Sequence, residues 1–324
     1  MLTRTCGALA GLLLSGAAAA ESVAWEWLGR MNEAVRTQTY VGTAVLRSGK
    51  RIDTLLIHHA FVDGVERERV VSLSGAQREV IRAGGEVQVI LPEQRLVVIE
   101  RDQGRGLLPQ LSESALARIA QHYALELHDP EGRVANRNTR ELRIDPRDEW
   151  RWGYRIQLDE QTAMPLELRI VAPDQSVLEQ IQFVTVDFPD VVAEDALSAE
   201  ADSSGYAVVR SRPPHVDGQA RAMLSGWEVA SPPPGFRLSA RNWTSVPGAD
   251  GPVAHWVFSD GLASVSLYAT SADGQDDLPE ARMASGAVST VRRMHQQMQV
   301  TVMGEVPVRT ARRFAAGLQR VPAP

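Results

Sequence analysis

Two hydrophobic periods share the 324-residue chain, and the shorter one dominates. The segments YVGTAVLR, RIDTLLIHHA, VERERVVSL, EVQVILP and RLVVIE, all between Tyr40 and Glu100, are short and rich in β-branched residues. Gly, Asp or Pro turn signals separate them, which predicts successive antiparallel strands. In WGYRIQLD, Trp152, Tyr154, Ile156 and Leu158 alternate strictly with polar residues, giving one buried and one solvated face. The helical period appears three times. WEWLGRMNEAVR places Trp25, Leu28, Asn32 and Val35 on one stripe. In SESALARIAQHY, Ser112 is a fitting N-cap, with Leu111 and Leu116 as a hydrophobic staple. In PVRTARRFAAGLQR, Pro307 suits a first helical position and Val308, Ala311, Phe314, Ala315 and Leu318 form the stripe. Between about 187 and 235 the text turns acidic, small and proline-rich, and packing signals fade. A domain boundary is expected there: a large β-rich unit with helices laid on a curved sheet precedes it, and a smaller mixed unit from about Gly226 follows.

The stretch HWVFSDGLASVSLY, His255 to Tyr268, mixes a histidine, an aspartate and serines around a glycine. It reads either as a hydrolase site or as a hairpin. Asp260-Gly261 suits a two-residue type I′ turn, where both central residues need positive φ. That register sets Phe258 opposite Ala263, Trp256 opposite Val265 and Ala254 opposite Leu267, an all-apolar face. The other face then carries His255, Val257, Ser259, Leu262, Ser264 and Ser266, with His255 opposite Ser266. At about 3.4 Å per residue, His255 and Asp260 are roughly 17 Å apart, too far for a relay. The hairpin reading prevails.

The N-terminus changes the picture of where such a unit works. Arg4, the apolar run GALAGLLLSG and AAAA before Glu21 have the layout of a secretory signal with a small-residue cleavage site, so export and a mature start near Glu21 are expected. The one cysteine, Cys6, lies inside that leader, leaving the expected mature chain without disulfides, thiol nucleophiles or cysteine-bound metals. A formal net charge of −6 and a pI near 5.7 make nucleic acid an unsuitable partner.

Candidate chemistry is sparse. No G-x-S-x-G, H-E-x-x-H, P-loop or dinucleotide-binding glycine pattern is present, which argues against an enzyme, and no cofactor is expected. His58 and His59 are strand neighbours that point to opposite faces, a poor start for a metal site. The carboxylates of DPRDE, Asp145 to Glu149, read as a solvated turn between strands. A curved sheet with few covering helices offers an apolar surface for an acyl chain or a partner's apolar segment. Leu56, Val89, Val98, Trp152, Tyr154 and Ile156 either line it or are core beneath the helices.

Several segments together resemble the RseB/MucB family of periplasmic regulators of the sigma-E envelope-stress response. They are YVGTAVLRSGKRIDTLLIHH, GAQREVIRAGGEVQVILPE, PRDEWRWGYRIQLDEQTAMPLELRI, VLEQIQF, FSDGLASVSLY and QVTVMGEVP, spread over most of the chain. The resemblance implies a mainly β protein: an N-terminal unclosed antiparallel β-barrel similar to LolA and LolB with helices in its mouth, joined to a smaller α+β C-terminal domain. The corresponding division is a signal peptide at 1–20, a lipid-sensing domain at 21–190, a linker at 191–225 and an anti-sigma-factor-binding domain at 226–322. It implies binding of the periplasmic part of an RseA- or MucA-type anti-sigma factor, shielding from a DegS-type site-1 protease, release by lipopolysaccharide or other lipid, and self-association. The family offers no short contact motif to carry across, so the partner candidates are taken from the second domain: Trp243 and the solvated hairpin face, His255, Val257, Ser264 and Ser266. A lipid or lipoprotein carrier of LolA type without a signalling partner is the competing reading.

Overall fold

A computed structural model describes residues 8–102, 106–129, 132–210, 226–244, 251–271, 279–295 and 298–320, with side chains from residue 21 onward. The first sheet is built from β1 (Tyr40–Ser48), β2 (Arg51–Val62), β3 (Val65–Ser72), β4 (Glu79–Ala83), β5 (Glu86–Leu91), β6 (Leu96–Arg101), β7 (Tyr123–Leu127), β8 (Gly132–Val134), β9 (Arg137–Pro146), β10 (Gly153–Asp159), β11 (Pro165–Val171), β12 (Val177–Asp187) and β13 (Ala207–Arg210). Helix α1 (Ala8–Thr37) precedes it and α2 (Glu113–His122) interrupts it. The strand order is β13-β6-β5-β4-β3-β2-β1-β12-β11-β10-β9-β7, with β8 beside β9. Every pairing is antiparallel except β13 with β6, and the end strands β13 and β7 do not meet. The sheet is therefore unclosed, the arrangement that the LolA/LolB resemblance implied.

Both helices lie on one face of this sheet. Ala24, Trp27, Leu28, Met31 and Val35 of α1 join Ala115 and Ile119 of α2 over Leu55, Ile57, Leu142, Ile144, Ile156 and Phe183. The buried stripe of α1 is thus rotated from the expected one, taking in Trp27 and Met31, while Trp25 and Asn32 sit at its margin. Ser112 caps α2 as expected, its hydroxyl accepting from the Ala115 N–H at 3.2 Å. On the opposite face the chain between β12 and β13 runs back along the strands. Val192 and Leu197 pack on Ala60, and Tyr206 and Ala201 flank the cluster of Ile90, Val97 and Ile99. The segment expected as a linker thus runs along the first sheet through Arg210, and its remainder, 211–225, lies outside the described residues, as do 1–7 of the expected signal peptide and 321–322 of the expected C-terminal unit.

The second domain holds β14 (Trp227–Val229), β15 (Arg237–Thr244), β16 (Val253–Ser259), β17 (Ser264–Ser271), β18 (Ala281–Ser285), β19 (Val288–His295), β20 (Met298–Gly304), α3 (Val308–Gly317) and β21 (Leu318–Arg320). Six strands form a sheet of order β15-β16-β17-β20-β19-β18, and β14 pairs with β21. α3 packs Ala311, Phe314 and Ala315 on Trp256, Phe258, Val265 and Val302. Phe314 sits edge-on to Phe236 and tilted against Phe258.

The β16–β17 hairpin forms, in a corrected register. Phe258 opposes Val265, Trp256 opposes Leu267, Ala254 opposes Ala269, and His255 opposes Tyr268 rather than Ser266. The Asp260 N–H donates to the Ala263 carbonyl, so the turn centres on Gly261-Leu262 and not on Asp260-Gly261. Its cause is the Asp260 side chain: Oδ1 accepts the N–H groups of Leu262 and Ala263 at 3.0 and 2.8 Å, which holds the corner without a positive φ at Asp260. A shift of two residues preserves which side chains face inward, so the apolar face survives the error.

Candidate functional site

The six residues proposed as a lipid lining do not share one surface. Cross-strand register puts Ile57, Val70, Val80, Val89 and Val98 in one row on the helix side, and Leu56 with Val71 on the other side. Tyr154 and Ile156 lie on the helix side too, buried in the core below α1 and α2. Trp152 packs at the margin of that core and donates its indole N–H to the Ala287 carbonyl of the second domain at 2.9 Å. The open part of the face is the half-buried row Val80, Val89 and Val98, beyond the helices. Burial raises the Tyr154 hydroxyl pKa well above 10, and that hydroxyl has no hydrogen-bond partner among the described residues.

At the edge of this face the approach to α2 is tied down by polar bonds. The Asn32 side-chain amide donates to the Leu111 carbonyl at 2.8 Å and accepts the Leu111 N–H at 2.7 Å. Gln110 donates to Glu66 at 2.7 Å. Beside them is a small pocket of about 30 Å³ lined by Tyr40, His59, Glu66, Glu68, Arg82 and Asp102 among others. Burial pushes the Glu68 carboxyl up, opposed by Arg82 and His59. His59 stacks on Tyr40 and bonds the Gln38 carbonyl through Nδ1, so it is a buried structural histidine, whereas His58 faces the other way, half-buried.

In the second domain, His255, Val257, Ser264 and Ser266 do share one face, the one turned away from α3, but it is not the solvated face expected: Val257 and Ser266 are buried, and His255 and Ser264 are half-buried. Trp243 does not join them: it stands opposite Ala254 and packs at the margin of the α3-side core. Along the outer face, register continues from Val257 through Ser266, Met303 and Thr290 to Met283, with Met303 and Met283 exposed. The His255 ring is stacked on Tyr268 at 4.3 Å. With Ser266 opposite Val257 and Asp260 engaged at the far end of the hairpin, these side chains are not assembled for nucleophilic catalysis. Among the described residues no three His, Cys, Asp or Glu side chains gather as a metal site.

What the periodic reading missed is the seam between the domains. Arg151 and Asp260 are both completely shielded from solvent. Arg151 Nη1 donates to Asp260 Oδ2 at 2.9 Å, Nε donates to Asp148 at 2.9 Å, and Nη2 donates to the Pro234 carbonyl. The Tyr123 hydroxyl donates to the same Asp260 oxygen at 2.9 Å. The guanidinium lies over the rings of Tyr123 and Phe236. Around this centre Thr310 donates to the Trp150 carbonyl, Arg309 pairs with Glu149, and Leu262 and Ala287 reach the first domain's core. DPRDE is accordingly no plain solvated turn, because Asp148 and Glu149 both serve the seam. The available signal was an arginine flanked by two tryptophans in EWRW, a cation set among aromatics.

Family models match almost end to end: the MucB/RseB N-terminal domain over residues 23–201 and the MucB/RseB C-terminal domain over 221–319. The chain belongs to the MucB/RseB family. A relative from Pseudomonas aeruginosa, the sigma factor AlgU regulatory protein MucB, is 31% identical over 332 residues, covering 98% of each chain. The sigma-E factor regulatory protein RseB of Escherichia coli K12 is 24% identical over 312 residues, 95% of this chain and 94% of the other. A solved structure described as the complex of Pseudomonas aeruginosa MucA/MucB superposes with a TM-score of 0.73 at 30% identity, covering 93% of this chain and 99% of that one. A further structure, MucB in complex with MucA(peri), gives the same TM-score at 92% and 99% coverage. The resemblance read from the quoted segments is therefore correct. Among the described residues, no helix is long and apolar enough to cross a membrane.

Proposed function

We propose that this chain is an exported, non-enzymatic periplasmic regulator. It binds the periplasmic domain of an RseA/MucA-type anti-sigma factor, protects it from site-1 (DegS-type) proteolysis, and releases it when lipopolysaccharide or another acyl-chain lipid binds. The observation that carries this reading is likeness over 93% of the chain to a MucB solved with MucA. In the proposed division, residues 21–190 sense lipid at the row Val80, Val89 and Val98, while 226–322 contact the partner through the outer face bearing His255, Val257, Ser264 and Ser266.

The mechanism is linkage between two ligands. A lipid displaces the partner only by as much as it prefers the partner-free form. Moving the protein from nearly all bound to nearly all free takes about 5.5 kcal/mol of such preference. At about 0.8 kcal/mol per buried CH₂, roughly seven methylenes supply it, well within one acyl chain.

The test is digestion of an anti-sigma periplasmic fragment by its site-1 protease, with the full chain present and with lipopolysaccharide titrated in. The expected result is protection that lipid abolishes. A chain that never protects the fragment, yet moves fluorescent lipid between vesicles, is a carrier of LolA type and refutes the regulator.

A further inference from the structure

We propose that Arg151, Asp260 and Tyr123 form a latch between the domains, and that the latch couples helix α2, on the lipid side, to the domain orientation in which the partner is held. The proposal rests on the regulator reading for its functional half, and on geometry alone for the latch itself.

A buried charge pair adds little net adhesion compared with apolar packing, but it is intolerant of misalignment. Here every polar atom is committed. Asp260 Oδ2 takes one donor from Arg151 and one from Tyr123, while Oδ1 takes two N–H groups of its own turn. Arg151 spends Nε within its own loop on Asp148 and its two terminal nitrogens across the seam on Asp260 and Pro234. Charge-assisted bonds of this length fail once their partners move apart by about 1 Å, so the network admits one relative placement of the domains.

The division of labour within Asp260 makes the seam two-state. When the domains part, Oδ1 still caps the hairpin turn and Asp148 still holds Nε, so each half keeps its local structure. Only the cross-domain bonds are lost, and water can replace them. A device with two internally consistent arrangements is what a regulatory ligand needs to bias.

The coupling to α2 is steric. Gly261 has φ +114, and a Cβ there would stand 2.8 Å from the Ala115 carbonyl of α2. A Cβ on Gly235 would run into the ring of His122, the last residue of α2. The second domain thus rests on both ends of α2 through two side-chain-free contacts, with Tyr123 following directly as the first residue of β7. The inner side of α2, Ala115 and Ile119, faces the same core that the proposed lipid row adjoins. An acyl chain that enters along that row and reaches into the core beneath α2 moves the surface on which Gly261 and Gly235 sit, and the Tyr123–Asp260–Arg151 bonds part.

The discriminating variant is Asp260→Asn. Its carbonyl oxygen can still cap the turn, but its NH₂ group confronts two donors, Arg151 and Tyr123. Spin labels on Val184→Cys and Ala316→Cys, one exposed site per domain, in a full chain carrying Cys6→Ala, report domain orientation. The labelled parent should give one narrow distance distribution, and Asp260→Asn a broad one with the unfolding midpoint of the second domain retained. Addition of lipopolysaccharide to the parent should broaden it in the same way. Affinity for the anti-sigma fragment should fall roughly tenfold in Asp260→Asn, within the usual range for coupled sites, with Tyr123→Phe intermediate. An unchanged narrow distribution in Asp260→Asn overturns the latch, whatever the partner does. Broadening without loss of affinity overturns its functional role, and parent broadening absent with bound lipid overturns the coupling through α2. If the parent binds no anti-sigma fragment at all, the regulator reading fails while the distance measurement still decides the latch.

Discussion

The pair of hydrogen bonds between Asn32 and Leu111 is where the stability of the helical cover can be tested most directly. Replacing Asn32 with Leu preserves side-chain size and suits α1, because Leu has a better helix propensity than Asn. It removes both bonds to Leu111, whose side chain is buried and whose N–H and C=O are then left facing an apolar group. Each bond contributes about 1 kcal/mol net, and a backbone group left dry costs about 1–3 kcal/mol. Asn32 is half-buried, so water reaches part of the site and the lower figures apply. The expected loss is about 2 kcal/mol, offset by a few tenths from propensity.

Location of the loss matters more than its size. Ser112 caps α2 immediately after Leu111, so the tether fixes the first turn of α2 over the core. Native-state hydrogen exchange should therefore show lost protection at Leu111 and through 113–119, while the β10 amides, held between β9 and β11, stay slow. Asn32→Asp keeps the acceptor for the Leu111 N–H and loses the donor, so it should retain protection at that amide. Unchanged exchange at Leu111 in Asn32→Leu, together with a urea midpoint equal to the parent's, would show that the Asn32 tether does not hold α2 in place.

Arg151→Met strands the Asp260 carboxylate without solvent and should cost about 3–5 kcal/mol of docked-state stability by chemical denaturation; a loss under 1 kcal/mol contradicts the burial. His122 lies at the seam, its pKa lowered from 6.5 by burial, then by Arg151, with Arg237 acting the same way and Asp148 and Asp260 opposing. A depressed histidine gives stability that is complete above its unfolded pKa of about 6.5 and is lost as pH falls toward the folded value. The docked state should thus be weaker at pH 5 than at pH 7.5, and His122→Gln should flatten that difference in melting temperature; a steeper dependence would reverse the sign. Phe314→Ala, at the junction of Phe236 and Phe258, should lower second-domain stability by about 3–5 kcal/mol in urea titrations. On the proposed partner face, Met303→Arg should weaken binding of the anti-sigma fragment while Met303→Leu leaves it unchanged, measured by calorimetry.

Periodicity made the architecture legible because most of this chain pairs with its neighbour in sequence. β1 to β6 and β9 to β12 are each successive antiparallel strands, so local alternation and local turns carry the topology. Placement of the lining residues was less legible. Leu56 and Ile57 differ by one position, and alternation within β2 cannot say which of them faces the helices when both faces are apolar. Here both faces are covered, one by α1 and α2 and the other by the returning 190s segment, so the polarity contrast that normally orients a strand is missing.

Asp260 shows why the seam itself stayed hidden. In sequence, an aspartate before a glycine at a hairpin corner is explained in full by the turn, and that explanation is right for one of its two oxygens. The other oxygen answers to Tyr123 and Arg151, more than a hundred residues away, and nothing local distinguishes it. Arg151 has the same ambiguity, sitting in a charged loop whose Asp148 and Glu149 already account for a solvated turn. A residue that satisfies a local rule and a distant one together leaves only the local signature in the sequence. The seam between the domains is built from such residues here. The proposed latch therefore rests on positions where the local reading looked complete.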